Sequence, residues 1–207
     1  MSLSGRLFAA IYDSVLAGTE KAGLAAHRNA LLSTAAGRVI EIGAGTGANL
    51  PYYSDAVSEL VVCEPAEPMA RRLERKLASF GRPIRVVRAP AENLPVESAS
   101  FDVAVSTLVL CTVGDPQRAL AEIHRVLKPG GRLLFIEHVR GAELRLARWQ
   151  DRLNFLNKRI AQGCNCNRNT LASIAAAGFT LITLDRDQLR KAPPIVRPLV
   201  VGVAVRP

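Results

Sequence analysis

The chain has 207 residues, 49% of them apolar and 22% charged, which suits one globular domain around a single core and excludes a disordered or fibrous chain. No apolar run reaches the roughly 18 residues of a bilayer-spanning helix, and the first ten residues lack the apolar core of a secretion signal, so a cytoplasmic protein is expected. The net charge is +9 and 22 of the 27 basic residues are arginine, yet they are spread along the chain without a nucleic-acid-binding signature, so no nucleic-acid partner is expected.

From Arg6 to Ser33 apolar residues recur at helical spacing, and Gly18 and Gly23 divide the region into two helical pieces. A helix ahead of the first strand can fold over the following loop as a lid. Tyr12 then either meets a ligand or stays a half-buried amphipathic tyrosine. Arg38–Ile42 is a β-branched run that stops at the alternating glycines Gly43, Gly45 and Gly47, with Ala44 and Thr46 between them. A buried strand ending this way predicts a turn whose backbone approaches a ligand closely, since side chains at the glycines would fill the space. Glu41, two residues before the first glycine, is placed to accept hydrogen bonds from a bound amine.

A helical stretch to about Ala56 is expected next, with Pro51 tolerated in its first turn. Glu59–Pro65 reads as a second buried strand. Glu64 at its end lies about 20 residues past the glycines, where a Rossmann-like unit sets a carboxylate against a ribose diol. Met69–Phe80 is an amphipathic helix, Ile84–Arg88 a third strand, and Ala91-Glu92-Asn93-Leu94-Pro95 a loop at the same edge. Phe101–Thr107 is strand four. Asp115-Pro116 opens a helix as N-cap and N1 proline, and Lys128-Pro129-Gly130-Gly131 ends it after Leu127. Strand five runs from Arg132 to Val139. An arginine-rich insertion, Arg140–Asn169, carries Trp149 and Phe155; Asn169 or Thr170 then caps a helix ended by Gly178. Phe179–Leu184 and Leu199–Val205 are joined by too short and proline-rich a link for a crossover helix, so they are antiparallel. The alternation predicts an α/β, Rossmann-like doubly wound sheet of seven strands, mostly parallel with an antiparallel C-terminal strand and helices on both faces. Ligands belong at the carboxyl ends of the strands.

Four cysteines, Cys63, Cys111, Cys164 and Cys166, show neither zinc spacing nor a disulfide framework, so no metal is expected. The glycine run also satisfies the dinucleotide pattern, which keeps NAD or FAD as a rival. The leading helical segment, the terminal hairpin and Glu41 argue against it, because a pyrophosphate beside Glu41 would meet like charge while a methionine amine would be attracted.

With Glu41-Ile42-Gly43-Ala44-Gly45-Thr46-Gly47, Glu64-Pro65, Ala91–Pro95, Phe101-Asp102 with Ser106-Thr107, and Arg125–Gly131, the chain resembles the class I S-adenosylmethionine-dependent methyltransferases over nearly its whole length. The resemblance implies S-adenosyl-L-methionine as cofactor and S-adenosyl-L-homocysteine as product. It sets Tyr12, Glu41, Gly43, Ala44, Gly45, Gly47, Glu64, Pro65, Ala91, Glu92 and Thr107 at the cofactor. Pro90 stands where many members carry an aspartate for the adenine amino group, so Glu92 or the Ala91 backbone is expected to replace it. Tyr12-Asp13, Glu20–Leu24, Thr107–Cys111, Glu137-His138-Val139, Trp149, Gly163-Cys164-Asn165 and Val196-Arg197-Pro198 are similar to the methyltransferase-like seven group, regarded as thiol S-methyltransferases. That likeness implies a thiol acceptor; Leu146, Trp149, Leu153, Phe155 and Ile160 of the insertion, as an apolar lid, favour a small lipophilic one, and the core motifs shared with quinone and phospholipid methyltransferases keep a quinone, phenol or phospholipid as the alternative. A cofactor-binding protein without turnover stays as the rival from another class. His138, at the end of strand five, is either the catalytic or acceptor-binding residue or a histidine bonded to backbone that shapes the pocket, with Glu137 orienting it or facing away. The expected organisation is one domain over 1–207, with 1–36 as a helical lid and 140–169 as a cap on the acceptor site. Animal members of the group carry an apolar N-terminal anchor without counterpart here. Peripheral membrane contact is compatible with this sequence.

Overall fold

A computed structural model of the chain describes residues 13–14, 16–78, 83–161 and 163–207. Seven strands form one sheet: β1 (Gly37–Ile42), β2 (Val57–Cys63), β3 (Arg85–Val87), β4 (Phe101–Thr107), β5 (Leu127–His138), β6 (Thr180–Gln188) and β7 (Pro198–Val205). Their order is β3-β2-β1-β4-β5-β7-β6, with β7 antiparallel to both neighbours and the remaining pairs parallel. The inner strands are covered on both faces, so Val39–Ile42, Leu60–Cys63 and Leu133–Ile136 are buried without alternation, all of them apolar but Glu41. Helix α1 (Ala25–Leu32) and α2 (Glu67–Leu77) bury Leu31, Leu32 and Leu73 on one face. Helix α3 (Pro116–Val126) and α5 (Thr170–Ala176) bury Leu120, Ile123 and Ile174 on the other. A long helix between β5 and α5, α4 (Leu144–Ile160), fills most of the insertion.

The caps behave as their chemistry demands. Asp115 accepts from the Arg118 amide and Asn169 from the Ala172 amide, each satisfying a first-turn donor. Three expectations change. The helix after the glycine turn shrinks to one 3-10 turn, Leu50–Tyr52, because Tyr53 turns extended to bring its hydroxyl back beneath β1. Lys128–Gly131 belongs to β5 rather than to the preceding loop; the register shift between Phe101 and Val103 on β4 absorbs it. Among the described residues of the N-terminal region, Gly23 rather than Gly18 breaks the helix, at φ 141°, ahead of α1.

The strand order reverses between β1 and β4, which sets the β1–α2 side and the turn after β4 on opposite sides of a crevice at the carboxyl ends. The glycine turn, Glu64, Thr107 and His138 all lie along that edge.

Candidate functional site

The turn after β1 holds Gly43, Gly45 and Gly47 at φ 63°, 58° and 81°, a region that side chains make costly. Their surroundings differ. A Cβ on Gly43 would come 2.6 Å from Val109 Cγ2, and one on Gly47 2.7 Å from Leu50 Cδ1, so packing demands both glycines. A Cβ on Gly45 would point into open space. Of the three, Gly45 is the position where a ligand can lie directly against backbone, so the expectation that all three clear ligand space narrows to this one. Ala44, between them, is buried, and its amide donates to the Cys63 carbonyl at 2.9 Å, tying the turn to the end of β2.

Glu64, at that end, accepts from the Gly45 amide and the Ala66 amide, each at 2.8 Å. Burial raises its pKa and these two donors oppose the rise. Two amides fix the carboxylate's orientation and leave a further lone pair on each oxygen for hydroxyls. Pro65 beside it is exposed.

Glu41 lies under the turn rather than on its open side. It is buried and accepts from Asn49 Nδ2 at 2.9 Å and the Tyr53 hydroxyl at 2.8 Å. Asn49 also donates to Thr107 Oγ1 at 2.5 Å and accepts from Arg28 Nη1 at 2.5 Å, and Arg28 pairs with Glu20 at 3.0 Å. A buried chain of polar groups thus runs from the N-terminal segment, under the glycine turn, to the end of β4. Desolvation, only partly offset by Tyr53, Asn49 and Arg28, pushes Glu41 up to about 7. Direct contact between Glu41 and a ligand amine is not what this geometry provides.

The N-terminal segment reaches the turn a second time, where Thr46 Oγ1 donates to Asp13 Oδ1 at 2.5 Å and Lys76 bonds the other oxygen at 3.1 Å. Tyr12 lies outside the described residues.

The remaining expected contacts are distributed unevenly. Ala91 is buried at the edge. Glu92 accepts from the amides of Gly114 and Asp115 at 2.8 and 3.1 Å, so its carboxylate is engaged in holding the turn before α3. Thr107 is buried with its hydroxyl on Asn49. Leu108, next in the chain, has φ 59°, an uncommon conformation for a leucine, and its amide bonds the Ile136 carbonyl.

Glu137 holds that turn in place. It is fully buried and accepts from the Ser106 hydroxyl at 2.7 Å, the Val109 and Leu110 amides at 3.0 Å and the Cys111 amide at 3.3 Å. It therefore faces away from His138, as strand alternation allows. His138 is buried, burial pushes its pKa down to about 4, and the carbonyls of Val196 and Pro198 oppose the drop only in part. Its Nδ1 is a buried atom without a partner. A neutral imidazole with one unpartnered nitrogen is thus held buried at the end of β5.

Cys111 packs with Cys164 and Cys166, and its thiol pKa is raised, by Cys164 first and by burial second. That environment suits an inert side chain rather than a nucleophile. Among the described residues no cluster of His, Cys, Asp and Glu could hold a metal ion.

Sequence reasoning missed Asn49, Arg28 and Gln150, and left Glu137 undecided. The one available signal was Glu137 itself, a charge at the end of the run Leu133-Leu134-Phe135-Ile136. Gln150 anchors α4: its Oε1 accepts from the Gly141 amide, and its Nε2 donates to the carbonyls of Val139, Cys166 and Ile195.

Comparison with known proteins gives the same architecture and chemistry. The family described as "Methyltransferase domain" matches residues 40–135. Thiol S-methyltransferase TMT1B of Rattus norvegicus is 36% identical over 179 residues, covering 81% of this chain and 70% of that protein. Phosphatidylethanolamine N-methyltransferase of Cereibacter sphaeroides is 30% identical over 157 residues, 70% of this chain and 75% of that protein. The crystal structure of a SAM-dependent methyltransferase from Thermotoga maritima superposes with a TM-score of 0.72 at 25% identity, covering 98% of both chains.

Proposed function

The chain belongs to the S-adenosylmethionine-dependent methyltransferases, and from that premise we propose that it methylates the thiol of a small lipophilic acceptor, with His138 as the residue that receives the acceptor's hydrogen. When bound, the cofactor supplies an electrophilic methyl group on a sulfonium and leaves as S-adenosylhomocysteine. The turn at Gly45 takes the cofactor against its backbone, Glu64 takes the ribose hydroxyls, and Ala91 flanks the adenine. Glu41, Asn49 and Thr107 support the turn from below. The chain then acts as one domain, with residues 1–36 as a lid and 140–169 over the acceptor, and works in the cytoplasm. Among the described residues no helix is long and apolar enough to cross a membrane.

The observation that carries the His138 assignment is the unpartnered, buried Nδ1 at the end of β5. In-line transfer needs alignment and a dry pocket more than acid–base chemistry. A thiol with an ordinary pKa near 8.5 is only a few per cent ionised at pH 7, so a hydrogen-bond acceptor that takes its proton as sulfur attacks raises the rate. With the cofactor supplying its methyl group to the sulfur, the thiol proton would pass to Nδ1 of His138 and then to solvent. The likeness to TMT1B supports the thiol; the likeness to the phosphatidylethanolamine enzyme keeps an amine headgroup as the second reading.

The test follows S-adenosylhomocysteine release while the protein is offered thiols, phenols, quinols and amines. Turnover confined to lipophilic thiols is expected, and turnover with phosphatidylethanolamine alone would sink the thiol reading. His138→Ala is expected to lower kcat about 10²-fold while cofactor affinity stays within a factor of two. Because His138 is neutral throughout pH 6–9, it adds no inflection of its own to kcat/KM over that range; a break near pH 6.5 would contradict this environment.

A further inference from the structure

Five of the large apolar side chains most exposed on the molecule lie on one helix, α4: Leu144, Trp149, Phe155, Leu156 and Ile160, with Leu144, Phe155 and Ile160 each more than two-thirds exposed. The inner side of α4 is fixed to the body through buried Ala147 and Gln150 and through Arg140 with Asp151, so the outer side is held out rigidly. At 3.6 residues per turn, Arg148, Arg159, Arg152 and Arg145 form a row down the middle of that outer side. Leu144 and Phe155 border the row on one flank; Leu156, Trp149 and Ile160 border it on the other. All four arginines are exposed, and none forms an ion pair among the described residues. A shallow cleft of about 390 Å³ is lined by Leu144, Arg145, Arg148, Trp149 and Arg152.

We propose that α4 is an interfacial helix that docks this protein on anionic phospholipid bilayers. A soluble surface avoids setting five bulky apolar groups beside each other unless something covers them. The charge decides what that is: four unpaired guanidiniums between apolar flanks match a layer of phosphates above acyl chains. The guanidiniums meet lipid phosphates, the cleft beside Trp149 takes a headgroup, and the apolar flanks enter the glycerol region to either side. The net charge of +9 adds attraction over the whole molecule. A second copy of the chain would bring the same arginine row against its own charge, which argues against a dimer through this face. Docking through α4 would also turn the insertion toward the phase in which lipophilic molecules dissolve.

Trp149 is the only tryptophan of the chain, so its emission reports this face directly. The protein is titrated with vesicles of phosphatidylcholine alone and of phosphatidylcholine with phosphatidylglycerol, reading Trp149 emission and co-sedimentation. A blue shift and binding with the anionic vesicles, lost at high salt, is the expected result. Each basic side chain near such a surface contributes about fivefold, so Arg148→Gln with Arg152→Gln should weaken binding about thirtyfold. Phe155→Ser with Ile160→Ser should weaken it while the melting temperature is kept, since both side chains are exposed. No binding to anionic vesicles at low salt overturns the proposal, as does equal binding to both vesicle types. A Trp149 shift that tracks protein concentration without lipid, accompanied by dimers in sedimentation, gives the face to a second copy and overturns it too. None of these readings depends on turnover, so they stand apart from the outcome of the acceptor assay.

Discussion

At the glycine edge, three buried carboxylates are each held by two or more donors: Glu41 by Asn49 and Tyr53, Glu64 by two amides, and Glu137 by a hydroxyl and three amides. On the outer side of α4 the pattern is inverted, with four arginines and five bulky apolar groups facing solvent. The first region spends buried charge on rigidity, so that the Gly45 backbone is held open and the turn at Leu108 keeps an unfavourable conformation. The second is tied to the body only along its inner side, through Ala147, Gln150 and the Arg140–Asp151 pair, which leaves its outer residues to the surroundings. A side chain's burial and partners thus separate the groups that shape the site from those that meet the surroundings.

The largest expected effect tests the first region. Gly45→Arg should abolish cofactor binding in calorimetry while the protein still folds, because the added side chain enters open space and costs only about 1–2 kcal/mol of backbone strain. Gly43→Ala should do the opposite, lowering stability through the clash with Val109 even without ligand. Equal behaviour of the two variants would erase the distinction between them. Next is Glu137→Ala, which leaves three amides and a hydroxyl without an acceptor. We expect about 3–5 kcal/mol of destabilisation from the urea midpoint, and a loss under about 1 kcal/mol would show that the turn after β4 does not depend on this carboxylate. Gln150→Ala should cost about 2–3 kcal/mol, and amide exchange should quicken over residues 140–169 while β1 and β4 stay protected. Uniform loosening of the sheet would contradict the view of α4 as a separately anchored element.

The sheet was legible because its signals are local. Runs such as Val39-Ile40-Glu41-Ile42 and Phe101–Thr107, caps at Asp115 and Asn169, and the proline-rich link before β7 each depend on a few neighbouring residues. The glycines were legible as a motif, but not which of them borders open space, since that depends on Val109 and Leu73 arriving from elsewhere and on how Leu50 folds back. Asn49 gave no signal at all: its partners Arg28, Glu41 and Thr107 come from three other segments, and only the folded crevice brings them together. Glu92 was assigned toward adenine by its place in a loop, whereas two amides across the loop had the stronger claim on its carboxylate. The arginines of the insertion were visible, but their alignment into one outward row depends on which side of α4 Gln150 turns inward.

The smallest effect is a slope, and it sharpens the comparison by asking what the buried carboxylates cost. Glu41 has a pKa of about 7 when folded and an ordinary value near 4.5 when unfolded, so between these values the folded state holds the extra proton. Stability from this group is therefore fully present below pH 4.5 and is lost as pH rises toward 7, at about 1 kcal/mol per pH unit in the middle of the window. Raised values at Glu64 and Glu137 act in the same direction. In Glu41→Gln the amide oxygen still accepts from Asn49, and the Tyr53 hydroxyl can turn to accept from the new NH₂, so both contacts survive without the charge. Urea midpoints measured from pH 4.5 to 7.5 should then fall less steeply with pH in the variant than in the native chain. Parallel slopes would mean that Glu41 is already ionised across this range, with Arg28 supplying enough opposing charge to make the buried network an ion pair relayed through Asn49.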